Sequence, residues 1–148
     1  MVWGCMSSHG VGKFHIVSGT VKAKDYIEIL QNKLLPTARD ILGNRSWIFQ
    51  DDNAPCHRAK VVQKRLEDHT VNRINWPGHS PDLNSIESLW FKIGYKISKK
   101  KPSNKRELIE ALIFSFNHII TKYLLKLVHS ILKRCRTVIK ANDWPIKY

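Results

Sequence analysis

Residues 47–76 hold the feature that most limits what this chain can become, a strand, a helix and a second strand packed into about 30 residues. Trp47-Ile48-Phe49-Gln50 is a short run rich in aromatic and β-branched side chains. Residues 58–69 then carry Val61, Val62 and Leu66 at helical spacing, and residues 71–76 give another extended stretch. Strands separated by a helix cannot close as a hairpin, so the unit predicts a parallel pair with a right-handed crossover. Ligand chemistry in such a layer gathers at the carboxyl ends of the strands. Asp51, Asp52 and the loop Trp76-Pro77-Gly78-His79-Ser80-Pro81 fall there.

The flanks extend this reading. Val2-Trp3-Gly4-Cys5-Met6 and Phe14-His15-Ile16-Val17 are strand-like, and the glycines between them suit an antiparallel hairpin. Tyr26, Ile27, Leu30, Leu34 and Leu35 recur at helical spacing toward Gly43, with Pro36 predicting a kink or two shorter helices. From Pro81 onward the pattern is helical. Ser80 can cap, Pro81 suits the first position, and Leu83, Ile86, Trp90, Ile93 and Ile97 form an apolar stripe. Two more helices are expected near 105–119 and 122–140.

The chain has 148 residues and 43% hydrophobic content, enough for one domain, with a strand and helix core over 1–80 and a helical part over 81–148. No apolar run approaches the roughly 20 residues a membrane span needs. The N-terminus lacks a secretory pattern, so an intracellular chain without a membrane partner is expected. Cys5, Cys56 and Cys135 have no paired spacing, which speaks against a disulfide framework or a zinc knuckle. Net charge is +13, of which +10 falls in residues 85–148. Such a surplus favours a polyanionic partner.

Two stretches hold candidate chemistry. In Phe49-Gln50-Asp51-Asp52-Asn53-Ala54-Pro55-Cys56-His57, carboxylates stand where a buried strand opens into a loop, accessible to a hard cation such as Mg²⁺. The same residues also suit a plain turn whose Asp and Asn side chains satisfy backbone amides. In Ser80-Pro81-Asp82-Leu83-Asn84-Ser85-Ile86-Glu87, Glu87 stands beside the apolar stripe, which predicts a carboxylate at the edge of the buried face. A solvated first-turn glutamate favoured by the helix dipole fits it equally.

Taken together, these stretches resemble the catalytic signatures of the Tc/mariner superfamily of DNA transposases. The likeness runs from Val2-Trp3-Gly4-Cys5 through both stretches to Arg134-Cys135, Val138-Ile139-Lys140 and Lys147-Tyr148. Thirty-four residues lie between Asp52 and Glu87, as in the branch whose third acidic residue is glutamate. The resemblance implies an α/β, ribonuclease H-like (DDE transposase/integrase) fold with a helical C-terminal half. Asp52 and Glu87 become the second and third catalytic, metal-holding carboxylates, with Asp51 a neighbour and Asn53, His57 and Asn84 in supporting positions. It further implies two Mg²⁺ (or Mn²⁺) ions about 4 Å apart that activate a nucleophile and stabilise the leaving oxygen.

The family's first aspartate lies on a strand upstream of Trp-Gly-Cys, as do the helix-turn-helix domains that read transposon ends. That strand is central in the family sheet. Without it, backbone groups on both flanks lack partners. The chain alone is therefore expected to be marginally stable or to form a homo-oligomer, and to be inactive. Asn142-Asp143-Trp144 stands where relatives commonly show a glycine-rich turn.

DNA, as transposon ends and target, is the expected partner, and a nuclear location goes with it. Lys96, Lys99, Lys100, Lys101, Lys105, Lys133, Arg134 and Arg136 are the candidate phosphate contacts. The alternative is a noncatalytic DNA-binding or oligomerising protein derived from a decayed or domesticated transposon.

Overall fold

The computed structural model of the chain describes residues 1–77 and 80–141. Gly78 and His79 of the loop after Trp76, the Asn142-Asp143-Trp144 stretch and Lys147-Tyr148 lie outside the described residues. The chain divides into two compact units, Met1–Cys5 with Gly12–Ser80, and Met6–Val11 with the chain from Pro81 onward.

In the first unit, β1 (Val2–Trp3) pairs antiparallel with the strand His15–Ile16, the last of four short strands and hence β4. Gly12 donates its N–H to the Cys5 carbonyl at 2.8 Å. A Cβ on Gly12 would come within 2.4 Å of Cys5 Sγ and 2.5 Å of Thr37 Cγ2, so only a glycine lets this backbone lie so close to the helix carrying Thr37. Lys13 N–H reinforces the approach by donating to Thr37 Oγ1 at 3.1 Å.

The predicted kink at Pro36 takes a specific form. α1 (Ala23–Ile29) runs through a π-helical turn (Leu30–Leu34) into α2 (Leu35–Leu42). In a regular α-helix the Pro36 ring would collide with the carbonyl four residues back. The wider turn, with Leu35 N–H on the Leu30 carbonyl, precedes the proline in the first turn of α2. α2 ends at Gly43 with φ 57°, a conformation that favours glycine. The N-terminus of α1 is closed by Asp25, whose carboxylate accepts from Lys22 N–H at 2.9 Å.

The predicted strand, helix, strand unit is present with shorter strands. α3 (Lys60–Asp68) fills the middle, and the two flanking stretches meet in one parallel bridge, Phe49 with Arg73. Phe49 N–H donates to the Asn72 carbonyl at 2.7 Å, and Ile74 N–H donates to the Phe49 carbonyl at 3.0 Å. The ladder stops there, so the extended stretches expected over 47–50 and 71–76 contract to a single link. Tyr26, Leu30, Leu34, Phe49, Val62 and Leu66 form the core around it. Each side chain buried this completely contributes about 1.5–3 kcal/mol.

In the second unit, β2 (Met6–Ser7) and β3 (Gly10–Val11) pair antiparallel and pack on a long helix, α6 (Thr121–Lys140). Pro81–Leu83 is a 3-10 turn, and α4 (Ser85–Lys100) begins after Asn84. Ser80 is therefore not the cap of this helix. The Pro81 carbonyl accepts from Asn84 N–H at 3.0 Å in the tight turn, which delays the α-helical pattern until residue 85. α4 buries Ser85, Leu89, Ile93 and Ile97, one residue every turn. The expected stripe shifts accordingly, with Leu89 at its centre and Ile86 and Trp90 only half-buried.

α5 (Lys105–Asn117) is capped by Asn104, whose Oδ1 accepts from Glu107 N–H at 3.0 Å. Glu107 returns the bond by accepting from Ser103 N–H at 2.7 Å. Phe116 and Leu124 are fully buried and Leu127 nearly so, and Trp90 stacks on Phe116 at 5.5 Å. No single helix among the described residues is long and apolar enough to cross a membrane.

Candidate functional site

The loop after Phe49 is built by its own side chains. Asp51, only 9% exposed, accepts through Oδ1 from Asn53 N–H at 3.0 Å, and Asp52 Oδ1 accepts from Ala54 N–H at 3.0 Å. Two overlapping Asx turns result. Asn53 takes the left-handed conformation, φ 58°, which Asn tolerates better than most residues. Its side-chain amide donates to the Trp76 carbonyl.

Arg73 completes the arrangement. One nitrogen, Nη2, donates to Asp51 Oδ1 and to Asn53 Oδ1, each at 2.7 Å. Asp51 is thereby a buried, paired carboxylate, and its neighbour Asp52 is an open one with its side chain 58% exposed. That contrast puts the two aspartates in different chemical settings. A carboxylate held by a guanidinium in the interior has its charge matched already, whereas one facing solvent on a fixed backbone can meet a cation.

His57 stands against Asp52, with Nδ1 2.8 Å from Asp52 Oδ1. The ring stacks on buried Tyr26, centroids 3.9 Å apart. Burial in this position holds the imidazole below its ordinary pKa, against the opposing pull of Asp51 and Asp52. Burial also pushes the Tyr26 hydroxyl well up, helped by the charge of Asp51, so it stays protonated. Residues 52, 53 and 57, singled out from the sequence, thus share one loop. Arg73 was not singled out, an arginine inside an otherwise strand-like run being its only trace, and Tyr26 was read only as an apolar helix position.

The second stretch lies in the other unit. Asn84 is the residue before α4, and its side chain makes no capping bond. Glu87 sits in the first turn of that helix and is exposed rather than at the edge of the buried face. The buried row, led by Ser85 and Leu89, lies two residues to either side of it, about 200° around the helix. Negative charge at this end is favoured by the helix dipole.

The candidate phosphate contacts separate into two kinds. Lys96, Lys99, Lys100, Lys101, Lys105, Lys133 and Arg136 are all exposed. Arg134 is not; it is 4% exposed, which corrects its place among the surface contacts. Its guanidinium donates to the Asp82 carbonyl at 3.0 Å, Ser88 Oγ at 2.8 Å and Ser130 Oγ at 2.9 Å. An arginine satisfied in this way anchors α6 to the start of α4. Among the described residues, no three His, Cys, Asp or Glu side chains gather as a metal cluster.

Comparison with known proteins adds to this geometry. The family described as DDE superfamily endonuclease matches residues 1–109. The Tcb1 transposase of Caenorhabditis briggsae is 36% identical over all 148 residues, and the Tc1 transposase of Caenorhabditis elegans is 32% identical over the same length. The chain spans 54% of either relative. In structure, it resembles the Mos1 transposase catalytic domain solved with Raltegravir and Mn, with a TM-score of 0.88 and 19% identity, covering 99% of this chain and 76% of that one. The Mos1 paired-end complex with the left transposon end gives 0.88 at 20% identity, covering 99% and 44%. The fold is thus the ribonuclease H-like DDE fold of those domains.

Proposed function

Because the chain belongs to the DDE superfamily endonuclease family, in its Tc/mariner branch, we propose that it is the part of a DNA transposase that brings Asp52 and Glu87 to a divalent-metal site for strand cleavage and transfer. The observation that carries this reading is the contrast between the adjacent aspartates. Asp51 is buried on Arg73, while Asp52 is presented to solvent from a backbone fixed on both sides. Glu87 is the second exposed carboxylate at the family spacing, on the rigid first turn of α4.

Both groups fit Mg²⁺ or Mn²⁺ in donor chemistry, being exposed oxygen ligands of the kind hard cations accept alongside water. The Mos1 domain solved with Mn or Mg supports that choice. A metal held by Asp52 and Glu87 would activate a nucleophile and stabilise the leaving oxygen. The chain's own residues set the stage. Asn53 and Arg73 fix the Asp52 backbone, His57 orients its carboxylate, and Arg134 holds α6 to the helix that carries Glu87. The exposed lysines of α4 and α6 bind phosphates without regard to sequence, with affinity that falls steeply as salt rises. DNA as partner is supported by the Mos1 complex with a transposon end. A homo-oligomeric state and a nuclear location follow from the same reading.

The test is a chimera in which these 148 residues replace the aligned stretch of the Tcb1 transposase. The chimera is expected to cut transposon-end DNA with Mg²⁺, and Asp52→Asn or Glu87→Gln to slow cutting by at least about a hundredfold, near 2.7 kcal/mol of barrier. Cutting that survives both substitutions sinks the assignment.

A further inference from the structure

The outward face of α4 carries, beyond Glu87, two aromatic side chains that the metal-site reading leaves unused. Phe91 is 80% exposed and Tyr95 58% exposed. Four residues apart on one helix, they share a face. They follow Leu89 and Ile93 of the buried row by two positions, about 200° around the helix, so the aromatic row points away from the core of its own unit. Beyond Glu87, one turn before Phe91, the charge along the segment has one sign. Residues 88–106 contain seven Lys or Arg and no Asp or Glu. Lys99 Nζ stands 4.5 Å from the Tyr95 ring centroid, and Lys100 Nζ stands 4.8 Å from that of Phe114, itself 53% exposed.

The charge decides between occupants. A second copy of the same face would set lysines against lysines. An uncharged protein surface would have to strip water from the ammonium groups without matching them. Duplex DNA matches the lysines but keeps the faces of its bases stacked inside, leaving Phe91 without a counterpart. A strand with unpaired bases offers phosphates and flat π-surfaces together, the pairing that aromatic rings and basic side chains recognise in single-strand binders.

We propose that the outer face of α4, with Phe91 and Tyr95 flanked by Lys96 and Lys99, is a stacking platform for unpaired bases of single-stranded DNA. It rests on the reading that the chain works on DNA, but uses neither carboxylate of the proposed metal site. The lysines hold the backbone and the rings take the bases, so recognition depends on strand state and hardly on sequence. Both aromatics are exposed, so replacing them leaves the core intact.

The test measures binding of the full chain to fluorescein-labelled oligothymidine of about 20 nucleotides, to an abasic strand of the same length, and to the matching duplex, at one fixed salt concentration. Oligothymidine is expected to bind at least about tenfold more tightly than the abasic strand. Phe91→Ala and Tyr95→Ala should each weaken oligothymidine binding at least about fivefold and leave abasic binding unchanged, with circular dichroism confirming the fold. Equal affinity for oligothymidine and the abasic strand overturns the proposal. So does an unchanged affinity in both aromatic variants, or self-association that Phe91→Ala abolishes in the absence of any base dependence. The metal-site reading stands or falls separately. A chimera that cuts DNA while Phe91→Ala changes nothing removes only the platform, whereas base-dependent binding beside a chimera insensitive to Asp52→Asn removes only the metal site.

Discussion

The loop carrying Asp52 and the helix start carrying Glu87 fix a carboxylate in opposite ways. In the loop, order comes from close neighbours, since Asp51, Asn53, Arg73 and the Trp76 carbonyl bond one another across a few residues of backbone. At the start of α4 the local device is unused, because Asn84 offers no capping bond, and the anchor is a buried arginine from α6 reaching Asp82 and Ser88. The difference teaches that an exposed functional group is held by whatever makes its backbone rigid. A loop needs a polar network for that, whereas a helix needs only to be tied down at one end.

Three substitutions sharpen or break the contrast. The largest effect is expected at Arg73→Ala, which strands the Asp51 charge in the interior and should cost about 3–5 kcal/mol in urea unfolding. Adding Asp51→Asn to it should recover more than half of that loss. If it recovers nothing, the pair is not what orders the loop. Next, Arg134→Ala leaves a carbonyl and a hydroxyl at the α4 start, and the Ser130 hydroxyl on α6, without their donor, and about 2–3 kcal/mol should be lost. A negligible change there would mean the helix start is held by apolar packing alone. The smallest effect belongs to Asn84→Ala. Removing an asparagine cap ordinarily costs about 1 kcal/mol, but here the loss should stay under about 0.5 kcal/mol. If the same change slows the chimera's DNA cutting, Asn84 serves the site and not the helix.

The helices were legible because their signals are local and repeated. Residues 105–119 and 122–140 were expected, and Lys105–Asn117 and Thr121–Lys140 were found. Pro36 announced a disturbance, although nothing in the sequence distinguished a kink from a π-helical turn. The parallel link was foreseen in direction and overestimated in extent, since residue type reports which segments can extend but not how many bonds their neighbours supply. Ser80 looked like a cap because Pro81 and Asp82 follow it; the 3-10 turn that moved the helix start depends on a bond that composition does not reveal.

Within the site, the loop residues 52, 53 and 57 are marked in the sequence by the family resemblance, which reads them from one short contiguous stretch. Arg73 could not be read that way, lying 22 positions beyond Asp51 with no periodic pattern to tie it there. The plain-turn reading of the loop holds, since Asp52 accepts a backbone amide, and the same side chain still faces solvent. Arg134 misled for a related reason. A basic residue in a basic helix looks like surface until its three acceptors are known.

The tight approach at Gly12 has a consequence for how such a chain can vary. With the sulfur of Cys5 and the methyl of Thr37 already inside the space a side chain would need, every replacement there, even alanine, must first displace both of those side chains. In a saturation survey position 12 should be a sparse column, and viable changes should appear only when both partners shrink together, as in Thr37→Ser with Cys5→Ala, making three scattered letters of the sequence drift as one.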